Sequence, residues 1–360
     1  MADDARRDAD SAPAPSFGDR LAERVQARRS QLVLGLDPDP ARLWPRALEL
    51  AERGGGGVGG LERGPAIVRV IRGARASIAF PSSGGPAERA ARAVAAHCRL
   101  LIEAAGEHCV AVKPQLACFE RLGAPGWAAL REVVDDAAER GLLVIADAKR
   151  GDIDISARAY GQAFFGGVDT PFGRVDGLGV DALTVSPLLG RDSLAPLVQA
   201  ARGHAAGLLV LVRTSNPGAA DLQDRRLAEG GTVSEVLARI VHELGQPGIG
   251  RSGLADIGAV TGATAPERLQ ALRDLMPSAF LLLPGIGPQG GSGRDLAPAF
   301  APGPAGGLVS ASRAIVYAFA QARPPNSATR GDLGGGGPDP AQAARAEASR
   351  LRELVWDLYA

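Results

Sequence analysis

The chain alternates short, continuous apolar runs with longer segments in which apolar residues recur at helical spacing. Continuous hydrophobicity is typical of parallel strands that are covered on both faces. We predict eight such strands, at 31–36, 109–113, 142–147, 181–186, 208–212, 256–261, 280–284 and 307–311. The helical patterns predict helices at 87–105, 125–140, 153–165, 192–203, 232–245, 265–275 and 312–322. One further helical pattern, built on Phe17, Leu21 and Val25, precedes the first strand.

Eight strands that alternate with helices over about 300 residues favour an α/β fold, the (β/α)₈ or TIM barrel. The alternative is a doubly wound open sheet. No GxGxxG motif follows the first strand, which weakens that alternative. We therefore predict a barrel that forms the catalytic domain over residues 16–323.

Several segments fall outside the predicted barrel pattern. Residues 1–15 are polar and predict a disordered tail. Residues 324–340 are rich in Gly and Pro and predict a linker, and residues 341–360 form an amphipathic pattern that predicts a C-terminal helix. Two insertions, 53–66 and 245–256, interrupt the barrel pattern; the second predicts a surface loop or a lid.

Charge and cysteine content limit the function classes. The 360 residues carry a formal net charge of zero, without a long block of one sign, which argues against nucleic acid or an anionic membrane as partner. No apolar run approaches about 20 residues, so we predict no membrane span. The start of the chain lacks an apolar signal core. Cys98, Cys109 and Cys118 lack metal-binding spacing and leave an odd thiol, which favours a reducing cytoplasm.

Lysine is rare in this chain: of forty basic residues, only Lys113 and Lys149 are not arginine. Arginine is effectively never deprotonated, whereas lysine can donate its proton at a reaction centre. Each lysine ends an apolar run, 109–113 and 142–149. The two lysines therefore indicate a candidate active site.

The carboxyl ends of the first three predicted strands gather polar residues, and in a barrel these ends line one mouth. Asp147 and Lys149 are two positions apart, so on an extended backbone both point to one face. Cations and carboxylates that converge there would form a network of alternating charge that perturbs pKa values. The candidate residues are Asp37, Lys113, Asp147, Lys149, Asp152 and Ser156.

A candidate phosphate site follows the last two strands. The glycine-rich run 285–291, which contains Gln289 and Gly290, follows the seventh, and Arg313 opens a helix after the eighth. Glycines let backbone N–H groups approach an anion, and Arg grips phosphate through two hydrogen bonds. This is the usual phosphate position in a TIM barrel.

The segment after the fifth strand has two interpretations. Ser215 and Asn216 could hydrogen-bond the edge of a heterocyclic base, or the segment could be an ordinary Asx or Pro-Gly turn. No histidine lies at a strand end, which argues against a histidine triad or a zinc site.

The run 147–152, Asp-Ala-Lys-Arg-Gly-Asp, matches the DxKxxD signature of the orotidine 5′-phosphate decarboxylases. The segments VKPQLACFE, RTSNPGA, PGIGPQGG and SASRAI are similar to the longer bacterial, type 2, branch of that family. Related barrels such as hexulose-phosphate synthase share DxKxxD, but they hold Mg²⁺ and carry an acidic residue where this chain has Lys113.

The resemblance implies decarboxylation of orotidine 5′-phosphate to UMP in pyrimidine synthesis, without a metal or other cofactor. It implies that Lys149 donates a proton to C6, that Asp147 lies beside the departing carboxylate, and that Lys113 and Asp37 hold the ribose. It also implies a homodimer in which Asp152, with Ser156, reaches into the neighbouring subunit's site. The remaining implied ligands are Ser215 for the pyrimidine and Gln289, Gly290 and Arg313 for the phosphate.

Two alternative functions remain open from the sequence. One is a metal-dependent lyase of the same superfamily that acts on a sugar phosphate. The other is a non-catalytic paralogue that binds UMP-like nucleotides, although a pure binder has no need of a costly array of buried charge.

Overall fold

The computed structural model describes residues 15–53, 84–262, 266–284, 293–321 and 338–358. Its centre is a closed barrel of eight parallel strands. All eight predicted strands, and with them the predicted TIM barrel, are confirmed. The strands are β1 Leu32–Leu36, β2 Ala111–Pro114, β3 Leu143–Arg150, β6 Ala182–Val185, β7 Gly207–Arg213, β8 Ile257–Thr261, β9 Leu281–Pro284 and β10 Gly307–Ala311. Around the barrel they follow the order β1-β10-β9-β8-β7-β6-β3-β2.

Helices occupy the segments between the strands. The pattern 312–322 predicts one helix, but Tyr317 interrupts it and two short helices form instead. The described helices are α1 Phe17–Arg28, α2 Pro45–Arg53, α3 Pro86–Ala105, α4 Ala117–Glu120, α5 Ala124–Glu139, α6 Asp154–Phe164, α7 Arg191–Gly203, α8 Ala219–Leu222, α9 Val233–Gly245, α10 Pro266–Leu275, α11 Arg313–Val316, α12 Ala318–Gln321 and α13 Pro340–Asp357.

The hydrophobic core has two layers, because alternate residues of each strand point to opposite faces. Leu34, Val112 and Val144 belong to the layer between the barrel and its helices. The residues that alternate with them fill the inside of the barrel; they include Val33, Ala111, Leu143, Ile145, Ala182, Leu209, Val260, Leu282 and Leu308.

Helix α1 closes the amino end of the barrel. Phe17 packs against Phe280 with 5.1 Å between ring centroids. The insertion 245–256 lies against this helix, where the amide of Ser252 donates to Oδ1 of Asp19 at 2.7 Å. Catalytic groups of a TIM barrel gather at the opposite, carboxyl end. The insertion is therefore not a lid over the predicted site.

Helix α13 packs on the barrel exterior against α3, α11 and α12. Ala344, Ala348, Leu351 and Val355 form its buried stripe. The C-terminal helix is thus confirmed. Leu354 lies one position away from that stripe and is 47% exposed.

An antiparallel hairpin, β4 Gly167–Thr170 with β5 Gly173–Asp176, follows α6 and was not predicted. Its residues are largely exposed, so no apolar pattern announces it. Most of the predicted tail, most of the insertion 53–66 and most of the linker lie outside the described residues. No described helix is both long enough and apolar enough to cross a bilayer.

Candidate active site

Three strands place polar side chains on one level inside the barrel. Lys113 and Asp147 each follow an inward apolar residue, Ala111 and Ile145, by two positions. Thr184 follows Ala182 in the same way. Because side chains two apart share a face, these polar groups form the level directly above the apolar interior. The site is thus built on the barrel strands themselves, at their carboxyl ends.

An ion network connects the two lysines through one carboxylate. The Nζ of Lys113 lies 2.6 Å from Oδ2 of Asp147, and the Nζ of Lys149 lies 2.6 Å from Oδ1. Gln115 donates to Oδ2 at 3.1 Å and Thr184 donates to Oδ1 at 3.1 Å. These four donors fill the acceptor sites of a carboxylate. Asp147 is therefore held as an anion between two cations.

The environment of Asp147 acts on its pKa in opposite directions. Burial by itself would raise the pKa, since only 7% of the residue is exposed. The charges of Lys113 and Lys149, together with their hydrogen bonds, outweigh burial and leave the pKa below its usual value of 3.8. Two ammonium groups and one carboxylate also leave the network with one excess positive charge. This excess suits an anionic ligand.

The two lysines differ in their access to solvent. The side chain of Lys113 is 10% exposed, whereas that of Lys149 is 47% exposed. Lys149 also has a φ of +50°, in the left-handed region that a lysine adopts only when its surroundings hold it there. The accessible ammonium of Lys149 can therefore meet a ligand at the mouth, and its backbone is constrained.

The other residues predicted near the mouth do not join this network within the described chain. Asp37 follows β1 and is exposed. Asp152 is partly exposed, and its Oδ1 accepts a hydrogen bond from the amide of the next residue, Ile153, at 2.8 Å. Ser156 lies exposed in the first turn of α6. The predicted array of alternating charge is thus present in its Lys113–Asp147–Lys149 part.

The segment after β7 forms an ordered turn. Thr214 donates from its hydroxyl to Oδ1 of Asn216 at 2.7 Å, and its amide donates to Gln223 at 2.7 Å. Ser215 is partly exposed, and a Cβ on Gly262 would lie 2.8 Å from its Cα. The turn interpretation therefore holds for Asn216, while the Ser215 hydroxyl has no hydrogen-bond partner within the described chain.

The phosphate side is described only in part. Arg313 is exposed and is the first residue of α11, separated from β10 by Ser312 alone. Gln289 and Gly290 lie outside the described residues. Arg313 is thus the one predicted phosphate ligand whose position the described chain gives.

The comparison with protein-family models tests the family membership that the motifs indicate. The model of the orotidine 5′-phosphate decarboxylase / HUMPS family matches residues 30–323. The chain belongs to this family. The match includes every barrel strand and both lysines of the network.

Individual relatives agree with the family match. The orotidine 5′-phosphate decarboxylase of Deinococcus radiodurans is 46% identical over 311 residues, which cover 84% of this chain and 90% of the relative. That of Haloarcula marismortui is 36% identical over 304 residues, covering 84% and 87%. The solved structure of Leishmania donovani OMP decarboxylase is 29% identical, with a TM-score of 0.60 and coverage of 96% and 98%.

Two residues that hydrogen-bond to Asp147 in the ion network, Gln115 and Thr184, were not predicted from the sequence. Gln115 lies two positions after Lys113, a spacing that could have indicated a shared face. Thr184 is 1% exposed and lies in the apolar run 181–186, where it reads as an ordinary strand residue. Its role emerges only because β6 pairs with β3.

Within the described chain, no histidine or cysteine side chain hydrogen-bonds to this network, although Cys118 lies close enough for the charge of Lys113 to act on the pKa of its thiol. His97 accepts a hydrogen bond from the amide of Trp44 at 3.2 Å, and burial lowers its pKa to about 4. Cys98 and Cys109 are buried free thiols, and burial raises the pKa of Cys109 to about 12. No described cluster of three or more His, Cys, Asp or Glu could hold a metal ion.

Proposed function

We propose that this chain is an orotidine 5′-phosphate decarboxylase, which converts orotidine 5′-phosphate to UMP and CO₂. This reaction is the last step of de novo pyrimidine nucleotide synthesis. The family match and the 46% identity with the Deinococcus radiodurans enzyme support the proposal. The observation that carries it is the chain of ion pairs Lys113–Asp147–Lys149 at the mouth of the barrel.

The proposed reaction breaks the bond between C6 of the pyrimidine and its carboxylate. CO₂ departs and the electron pair stays at C6, where the ring offers no conventional electron sink. In our proposal, the ammonium of Lys149 stabilises this developing charge and then donates its proton to C6. Lys149 recovers a proton from solvent, which its 47% exposed side chain reaches. The chemistry needs no cofactor.

Electrostatic preorganisation is the source of catalysis in this proposal. The ammonium of Lys149 is already fixed 2.6 Å from Asp147 before any substrate charge develops, so little reorganisation is needed at the moment of reaction. Asp147, an anion, lies beside the substrate carboxylate and repels it, which disfavours the ground state. Binding of the distant phosphate supplies energy that is used at C6.

The remaining ligands follow from the family resemblance. Lys113 and Asp37 hold the ribose hydroxyls, and Ser215 contacts the pyrimidine. The half-exposed Ser215 hydroxyl is open to such a contact. The residues assigned to the phosphate are Gln289, Gly290 and Arg313.

The active unit in this proposal is a homodimer in the cytoplasm, with the catalytic domain at residues 16–323. Asp152 and Ser156 reach the neighbouring subunit's site. Their own subunit leaves both of them exposed or partly exposed. Ile153 and Ile155, which flank them, expose 49% and 74% of their surface, and exposed apolar residues next to such groups suit a protein partner.

The test is the fall in near-ultraviolet absorbance when the protein meets orotidine 5′-phosphate in the presence of EDTA. We expect wild type to turn over, and Lys149→Ala and Lys149→Arg to lose about 10³-fold or more of kcat while they still bind UMP. Arg174→Ala is the matched control, because it removes an exposed cation from the β4–β5 hairpin.

Three results would contradict the proposal. If Lys149→Arg retained turnover, the assignment of Lys149 as the proton donor would be refuted. Wild type that binds UMP but releases no CO₂ would favour a nucleotide-binding paralogue. Activity abolished by EDTA would favour a metal-dependent lyase.

A further inference from the structure

We propose that Thr184 is a positioning residue for decarboxylation, which holds the proton donor through the backbone of Lys149 and the carboxylate of Asp147. This inference rests on the proposed function. Thr184 itself is 1% exposed on strand β6, inside the barrel. It therefore acts through its two partners.

Strands β3 and β6 pair with a shift of register. Ala146 pairs with Leu183 and Arg150 pairs with Val185. Three residues of β3, at 147–149, therefore lie opposite a single residue of β6, Thr184. Such a bulge leaves backbone groups without their ladder partners and redirects side chains. Both ends of this bulge, Asp147 and Lys149, belong to the ion network.

The hydroxyl of Thr184 replaces the missing ladder contact. It accepts a hydrogen bond from the amide of Lys149 at 2.9 Å and donates one to Oδ1 of Asp147 at 3.1 Å. A hydroxyl has a single proton. Because an amide can only donate, that proton is directed towards the carboxylate. The hydroxyl therefore accepts from Lys149 and donates to Asp147, and not the reverse.

These two bonds support an unfavourable backbone conformation. Lys149 has a φ of +50°, which costs a residue with a Cβ free energy unless its surroundings determine it. The amide of Lys149, whose bond to Thr184 is partly buried, would lose this acceptor if the hydroxyl were removed. We expect the backbone then to relax and the Nζ of Lys149 to leave its place beside Oδ1 of Asp147.

A displacement of the proton donor by about 1 Å can cost about 100-fold in rate. We therefore expect Thr184→Val, which keeps the shape and removes the hydroxyl, to lower kcat about 10- to 100-fold. The KM and the affinity for UMP should change less than about threefold, because Thr184 touches neither ribose nor phosphate in the proposal. Thr184→Ser restores the hydroxyl and should recover most of kcat.

The matched control is Thr261→Val. Thr261 is also 1% exposed, is the last residue of strand β8, and its hydroxyl has no hydrogen-bond partner among the described residues. Its removal should leave kcat unchanged. A merely structural role for Thr184 would lower the melting temperature in the Val variant without the selective loss of kcat or the recovery by Ser.

A crystal structure of Thr184→Val supplies a readout that does not depend on turnover. We expect the φ of Lys149 to change or the distance from its Nζ to Asp147 to lengthen beyond 2.6 Å. Unchanged geometry would overturn the inference even if wild type proved inactive, and so would unchanged kcat in an active enzyme. Wild type without decarboxylation would instead overturn the proposed function, while the crystal structure still decides the role of Thr184.

Discussion

Replacing Asp147 by Asn removes the only carboxylate that contacts the two lysines in the described chain. The ammonium of Lys113, whose side chain is 10% exposed, would then be buried without a counter-ion. Breaking a buried ion pair from one side costs about 3–5 kcal/mol. Lys149 is half exposed, so solvent screens its ion pair with Asp147, and the loss of this pair costs about 0–1 kcal/mol of stability. Since Asn can still accept one hydrogen bond, we expect Asp147→Asn to lose about 3 kcal/mol of stability.

The assay is urea unfolding at pH 7 for wild type and the variant, with Asp169→Asn as control. Asp169 lies in the β4–β5 hairpin with a side chain 84% exposed, so its loss should cost about 0–1 kcal/mol. A midpoint of Asp147→Asn equal to or above that of wild type would refute the reasoning, because it would mean that the fold tolerates a buried lysine without its partner.

The pH dependence gives a second check on the same variant. The pKa of Asp147 is lower in the folded protein than its usual 3.8, so the carboxylate stabilises the fold above that pH. This stabilisation is lost as the pH falls through the lower, folded pKa. The difference between wild type and Asp147→Asn should therefore shrink under acid conditions. If the difference in unfolding free energy between the two proteins grew below pH 3.8, the lowered pKa of Asp147 would be contradicted.

Two other parts of the fold give further predictions. Leu351→Ala should cost about 2–4 kcal/mol of stability because Leu351 lies on the buried face of α13. Leu354→Ala, at an exposed residue of the same helix, should cost far less. Urea unfolding checks both variants, and equal losses of stability would contradict the buried stripe. Burial lowers the pKa of His97 from 6.5 to about 4, so the folded protein favours the neutral imidazole. The free energy of unfolding should therefore fall as the pH drops from 6.5 towards 4, by up to roughly 3 kcal/mol. His97→Gln should remove most of this pH dependence when the unfolding free energy is measured between pH 7 and 4.5. An unchanged pH dependence would show that other groups cause it.

The barrel could be predicted from the sequence because each buried strand must be apolar on both faces. Runs such as 142–147 and 208–212 therefore announce their strands without any knowledge of the neighbours. The hairpin β4–β5 gave no such signal, because exposed strands need no apolar pattern. The break at Tyr317 was missed because apolar periodicity continues across it.

The sequence by itself also determined the candidate chemistry. The rarity of lysine and the two-residue spacing of Asp147 and Lys149 predicted a common face at the barrel mouth. Both lysines do contact Asp147. The contact of Lys113 could be predicted because the carboxyl ends of parallel strands meet at one mouth. The contact of Lys149 forms on a bulge of β3, with a φ of +50° at Lys149, so it does not follow from the regular alternation of strand side chains.

Only the tertiary structure decided how the site is held. Thr184 lies 37 positions from Asp147 in the chain, and it reaches the carboxylate because a bulge in β3 lies opposite it. A bulge depends on how two strands pair, and pairing is a property of distant segments. The exposed or buried state of Leu354 and Leu351 was likewise fixed by the surface against which α13 packs. Local pattern thus selects the elements and their chemistry, and packing between distant segments sets the final geometry.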